Sequence, residues 1–203
     1  MCGMECATWA TAFVSFLTVV ALIYVQVFLP WWRRAKFEVI FEKNKEPWCR
    51  RFPKNSWIRL EIKNVGRSVA KQCIGKLMEV RNSEQERERK FDPTALHWVS
   101  RPMTLIAKPN EPGEFDKVSN ESVDIHSGDS EFLDVVRAFE HKKPLMKVFP
   151  ADKRARSIKW EYEPGEYYFK ITILGANIRN PVSREFCVTW TGNHNDLTMG
   201  LVN

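Results

Sequence analysis

Hydrophobic and polar positions follow two regimes along this chain. From Ala7 to Leu29 there is no charged side chain, and Gln26 is the most polar residue. A helix over that run would be about 35 Å long, against about 30 Å of bilayer hydrocarbon. Beyond residue 32 the pattern changes to short alternating runs. Ile58, Leu60 and Ile62 alternate with Arg59, Glu61 and Lys63, and Phe37, Val39 and Phe41 with Lys36, Glu38 and Glu42. Tyr167, Phe169, Ile171 and Ile173 alternate with Tyr168, Lys170 and Thr172, and Phe186, Val188 and Trp190 with Glu185, Cys187 and Thr189. A period of two predicts half-buried antiparallel strands.

Turn residues separate the runs. Asn64-Val65-Gly66 follows one strand, Ser127-Gly128-Asp129 precedes another, and Pro164-Gly165 precedes the Tyr167 run. Lys71 to Val80 reads as a strand whose imperfect alternation suggests a bulge. Phe132, Val135, Val136 and Phe139 also fit helical spacing; the β-branched valines and the short run favour a strand. Asn82 to Lys90 reads as a solvated hairpin tip, and Lys108 to Lys117 as a loop. The expected organisation is an N-terminal segment, 1–32, carrying a membrane helix over about 7–29, then one mainly β domain, 33–203, an antiparallel β-sandwich of about seven to nine strands.

Charge gives that helix a direction. Its N-terminal flank carries Glu5 and no Lys or Arg, whereas Arg33, Arg34, Lys36, Lys43 and Lys45 follow it. The positive flank stays in the cytoplasm, which puts the N-terminus outside and the globular domain inside. The sequon at Asn120 would then stay unmodified. A cleaved signal peptide would need a basic start and small residues at its exit, and this chain has neither. The expectation is an uncleaved single-pass anchor in the cell membrane. Trp31 and Trp32 suit the headgroup layer, with Arg33 and Arg34 on its aqueous side. Ala7, Thr11 and Ser15 share one helix face, a small-residue stripe that suits self-association.

The formal net charge is +6, and every acid except Glu5 lies beyond the helix. That modest excess fits anionic headgroups better than nucleic acid, which calls for a concentrated basic footprint. Trp48, Arg50, Arg51 and Lys54, with Cys49, Phe52 and Pro53 between them, interleave aromatics and cations a short way past the helix. They are a candidate lipid-headgroup contact. Asp152 to Arg156 is basic without aromatics and reads as a solvated loop.

Reactive chemistry finds little footing. Five cysteines, an odd number, argue against a fully paired disulfide framework and for a reducing compartment; among the three in the globular part, Cys49, Cys73 and Cys187, one disulfide plus one free thiol stays open. His97, His126, His141 and His194 lack metal-ligand spacing, and Asp116, Asp124, Asp129 and Asp134 match no compact calcium loop. Nucleophile-elbow, dinucleotide and Walker motifs do not occur, so neither cofactor nor metal is expected.

Leu60 to Ala70, with its Asn64-Val65-Gly66 turn, resembles the strand-turn-strand segment of immunoglobulin-like modules of the CARDB type, the cell-adhesion-related domains of bacteria. Glu163 to Ile171 is similar to the Pro-Gly-x-Tyr entry of a late sandwich strand, where a Tyr hydroxyl closes the corner on upstream backbone. The resemblance implies an immunoglobulin-like sandwich and, since such modules are mostly exported, an envelope or adhesion role. The charge rule instead favours a tethered, non-enzymatic domain that recognises a protein partner at the cytoplasmic membrane face. An enzyme with a site assembled from scattered residues is the third reading.

Overall fold

The computed structural model describes residues 2–32, 34–43, 45–83, 93–107, 115–119, 122–139, 145–148 and 161–202. Helical backbone runs from Cys2 to Trp32 in three parts: α1 (Cys2–Ile23), a π turn (Tyr24–Phe28) and α2 (Leu29–Trp32). Among the described residues no helix taken singly is long and apolar enough to cross a membrane. The single membrane helix expected over about 7–29 is therefore corrected: the helical backbone there is broken into segments, none of which qualifies as a span among the described residues. The break has a backbone cause. Pro30 has no N–H for the carbonyl of Gln26. Just before it the ladder widens, and the Leu29 N–H donates to the Tyr24 carbonyl. Ile23 and Leu29 keep right-handed helical dihedrals, so the path continues through the widened turn.

Fourteen strands are described: β1 (Phe37–Ile40), β2 (Cys49–Phe52), β3 (Asn55–Asn64), β4 (Ala70–Asn82), β5 (Thr94–Ala95), β6 (Met103–Ala107), β7 (Phe115–Ser119), β8 (Val123–Ile125), β9 (Ser130–Phe139), β10 (Leu145–Val148), β11 (Glu161–Tyr162), β12 (Gly165–Leu174), β13 (Val182–Trp190) and β14 (Thr198–Leu201). That exceeds the expected seven to nine; pieces of two or three residues, such as β5, β8 and β11, are too short to display a period. One sheet runs β1-β3-β9-β10-β11, with β2 also on β3. The second runs β14-β13-β12-β4-β5, with β8 also on β4. β6 and β7 form a separate hairpin, so Phe115–Lys117, expected in a loop, belongs to a strand. All pairings are antiparallel, and the two main sheets form a β-sandwich.

The core lies between those sheets. Along β3, Ser56, Ile58, Leu60, Ile62 and Asn64 are buried while their neighbours are half-exposed. Opposite them sit Leu77, Phe169, Ile171, Phe186, Val188 and Trp190. Burying each such apolar side chain contributes about 1.5–3 kcal/mol. Two bulges explain the irregular sequence patterns. The β3–β9 register shifts between Ile58 and Arg59, so Val135 is extra and the consecutive residues Leu133 to Val136 are all buried. That doubling imitates helical spacing. The β12–β4 register shifts between Lys170 and Ile171, which makes Met78 extra and moves the inward phase from Leu77 to Val80.

The segment Thr94–Val99 crosses between sheets at one edge. Thr94 and Ala95 pair with β4, then Trp98 bridges to Leu133 of β9 and the Val99 N–H donates to Phe132 at 2.9 Å.

Asn64 ties the helix, the turn and both sheets together. Its Oδ1 accepts from the N–H groups of Lys36 at 3.3 Å and Gly66 at 3.0 Å. Its Nδ2 donates to the carbonyls of Ser68 at 2.7 Å and Ile125 at 2.9 Å. Its own N–H and carbonyl pair with Asp129 and Gly128. The linker Arg34–Lys36 then lies directly on Gly66, where a Cβ would collide with the backbone of Arg34, Ala35 and Lys36.

Replacing Asn64 by Ala should cost about 3–4 kcal/mol, near 1 kcal/mol per lost hydrogen bond, read as a lower urea midpoint. Gly66→Ala should destabilise measurably and raise amide exchange at Lys36, whereas Gly200→Ala, where the added methyl meets no neighbour, should change stability by less than about 0.5 kcal/mol. Equal effects from both glycine substitutions would refute the steric argument.

Candidate functional site

The junction between helix and sandwich is the most distinctive surface. The chain leaves α2 and within a few residues enters backbone pairing: the Arg67 N–H donates to Arg34 at 3.2 Å and the Val65 N–H to Lys36 at 2.8 Å. Ala35, between them, is buried. The Arg67 guanidinium lies 4.4 Å from the centre of the Trp32 ring, close enough for a cation–π contact. Arg67 also borders a cleft with Tyr24, Phe28, Leu29 and Trp32. A strap of hydrogen bonds, not a free linker, therefore joins the helix to the domain.

Several loops converge at this end. Asn177 accepts from the Lys71 N–H at 2.8 Å and donates to Val69 at 2.7 Å, fastening the β12–β13 connection to the β3–β4 turn. Ser127 donates to Gly66 at 2.6 Å, and Asp124 accepts from the Gln72 N–H at 2.7 Å. Between the linker and the β12–β13 connection lies a groove of about 660 Å³. Arg34, Lys36, Arg179 and Arg184 line it together with Phe37, Ile178 and Pro181; no carboxylate does so among the described residues. All four cations are exposed, and no described acid forms an ion pair with them.

The other basic cluster lies at the opposite end of β3. Trp48, Arg50, Arg51 and Lys54 sit around the β2–β3 hairpin, whose turn joins Phe52 to Asn55. The junction meets β3 at its other end, Asn64. Ten strand residues separate those ends, about 30 Å. β1 runs antiparallel to β3 and carries the chain away from the helix. Residues near the helix in sequence thus end far from it. A second set of exposed cations, Arg34, Lys36, Arg67, Arg179 and Arg184, stands at the junction. Arg67 carried a local signal, its place beside the Asn-x-Gly turn. Arg179 and Arg184 carried none, because only tertiary folding brings them to the linker.

Of the expected interface residues, Trp32 and Arg34 are exposed at the junction, Arg33 lies outside the described residues, and Trp31 is described by its backbone alone. So are Ala7 and Thr11, while Ser15 is exposed on the helix. Asn120, most of Asn82–Lys90 and all of Asp152–Arg156 lie outside the described residues.

A second cluster of charges is buried. Arg59 Nε donates to Asp134 Oδ1 at 2.7 Å, and His97 Nδ1 lies 3.0 Å from Asp134 Oδ2. His97 Nε2 faces the Arg101 carbonyl at 3.0 Å. The Asp134 side chain is only 4% exposed, so this network locks the sheet-crossing segment onto β9 and offers no open reaction centre. Among the described residues no group of three or more His, Cys, Asp or Glu could hold a metal. Cys73 and Cys187 are free thiols, and Cys49 is half-buried on β2. Burial pushes the Cys73 thiol up to about 12, assisted by the charge of Asp124 and opposed by its hydrogen bond at Ile125.

No protein-family model matches this chain, and no curated protein matches it. Among solved structures, a family 123 glycoside hydrolase from Clostridium perfringens is 11% identical over 68% of this chain, with a TM-score of 0.32. The match spans 21% of that hydrolase. A likeness at that score carries no argument about fold or activity.

Asp134→Ala should cost about 3–5 kcal/mol, because it strips Arg59 of its buried partner; Lys54→Ala at the exposed hairpin should stay within about 0.5 kcal/mol. Denaturant titration of the two variants checks this. Cys73 should resist alkylation at pH 8 in the folded chain, since its protonated thiol is a poor nucleophile. Peptide mapping should find Cys49 and Cys187 modified first; early modification of Cys73 would contradict its burial.

Proposed function

We propose that this chain is a single-pass, membrane-tethered β-sandwich without enzymatic activity that recognises a protein partner at the cytoplasmic membrane face. One observation carries the tether. Trp9 and every residue from Ala12 to Phe28 are exposed, with Phe13, Val14, Phe16, Leu22, Val25 and Phe28 each more than half accessible. A helix apolar on every side belongs in a lipid environment or a core, and among the described residues nothing of the sandwich covers Ala12 to Phe28. The helical path through the π turn to Trp32 exceeds the roughly 20 residues that a crossing needs. Local π adjustments near proline are tolerated in membrane helices. Thr18 keeps its hydroxyl satisfied within the helix by donating to Val14 at 2.8 Å. The cations that follow the helix support an outside N-terminus.

The sandwich is best read as immunoglobulin-like. The partial order β1-β3-β9 opposite β13-β12-β4 matches the two-sheet arrangement of that fold. The Tyr167 hydroxyl donates to the Glu163 carbonyl at 3.1 Å, and the Trp190 indole donates to the same oxygen at 2.9 Å. Such a pin at the start of β12 fits a tyrosine corner.

For the partner, the outer face of the first sheet is the favoured surface. Arg50, Trp57, Arg137 and Lys147 stand opposite one another across four strands. The Arg137 guanidinium lies 4.3 Å from the centres of both the Trp57 and Phe139 rings. Aromatic and arginine side chains held this way are what protein interfaces concentrate.

The full-length chain should stay in the membrane pellet after alkaline carbonate washing, and a C-terminal alkaline-phosphatase fusion should be inactive. Release into the supernatant would end the tether reading. Phosphatase activity with retained pelleting would favour the exported adhesion module instead. A photo-crosslinker at Phe52 should form one discrete adduct that Trp57→Ala abolishes.

A further inference from the structure

We infer that the groove between the Arg34–Phe37 linker and the β12–β13 connection holds the phosphate of an anionic phospholipid headgroup. The inference rests on the tether reading, which brings this groove to the bilayer surface. Four cations from distant parts of the chain meet there: Arg34 and Lys36 on the linker, Arg179 and Arg184 across from them. The lining contains no acid among the described residues, and Glu185, next in sequence to Arg184, is engaged by Arg81. Four exposed cations facing one concavity repel each other, and an anion relieves that repulsion.

The chemistry of the walls narrows the ligand. Asn180 supplies a neutral polar group beside the cations, the Ser183 hydroxyl being paired with Thr172 at 3.0 Å, and guanidinium pairs suit bidentate phosphate recognition. Phe37, Ile178, Pro181 and Val182 add an apolar surface, which a free inorganic ion would not use but a glycerophospholipid would. Position agrees: Arg34 lies two residues beyond Trp32, the last helical residue, and that linker is strapped to Arg67 and Val65. The groove therefore keeps a fixed place next to the helix end. Its depth matches the headgroup layer, where each basic residue near an anionic surface contributes about fivefold in affinity.

The test uses the full-length chain in nanodiscs. Incorporation into phosphatidylcholine discs comes first; failure to incorporate overturns the tether reading, and this inference with it. In neutral detergent, short-chain phosphatidylserine and phosphatidylglycerol should shift the backbone amides of Ile178 and Asn180, with short-chain phosphatidylcholine at least tenfold weaker. Arg179→Gln with Arg184→Gln should weaken the anionic lipid by about tenfold or more, at unchanged melting temperature, since both side chains are exposed. Arg50→Gln with Arg51→Gln, at the far hairpin, should leave it unchanged. Inorganic phosphate binding as tightly as the lipids would overturn the lipid as source. Normal incorporation with no preference for anionic headgroups, or loss from the Arg50/Arg51 variant instead, would overturn the groove and leave the tether standing.

Discussion

A single buried amide organises this molecule. Asn64 ends β3, and its side chain is hidden from water, so each of its polar atoms needs a partner. Those partners come from the linker, from the β3–β4 turn and from β8. The first belongs to the helix, the second joins the two sheets, and the third lies in the second sheet. Losing the amide would remove a partner from the carbonyls of Ser68 and Ile125 and from the N–H groups of Lys36 and Gly66 at once. Asparagine alone combines acceptor and donors on a stem short enough to do this; aspartate has no donor, and glutamine would place both a bond further out.

Its neighbour Gly66 completes the device by leaving room for the linker backbone. The two residues turn the linker into a strap. Here the hydrogen bonds to Arg34 and Lys36, the burial of Ala35 and the Arg67–Trp32 contact give the helix end and the sandwich a fixed relationship.

Much of this architecture was legible in the sequence. The alternation at Ile58, Leu60 and Ile62 predicts β3 with its inward face correctly, and Pro164-Gly165 marks the start of β12. The bulges were harder, since one extra residue at Val135 or Met78 shifts the phase and looks like weak pattern or helix. Local reasoning saw Asn64 as a turn residue and missed its burial, because the carbonyl of Ile125 and the N–H of Lys36 arrive from elsewhere in the chain. The spatial grouping of the cations was not legible. Sequence distance from the helix favoured Trp48 to Lys54, yet β1 and β3 are antiparallel, so those residues travel the length of the domain. Arg179 and Arg184 meet the linker only after β12 and β13 have paired. Charge counting finds cations, and topology alone decides which of them share a groove.

The same geometry separates two surfaces that composition would have merged. Near Asn64 the exposed cations stand, among the described residues, without ion-paired acids or aromatic stacking partners, apart from Arg67 on Trp32. Toward Asn55, arginines are sandwiched by rings, with Arg137 between Trp57 and Phe139 and Arg50 over Phe52. Open cations suit a diffuse anionic surface that wets them, whereas stacked guanidinium groups are already partly desolvated and suit a dry protein contact. The length of β3 keeps these chemistries about 30 Å apart. Because the strap fixes the sandwich to the helix, the stacked face stands at a set height from the helix end. A partner would find it always presented in one orientation, which lowers the conformational cost of binding without adding a single contact.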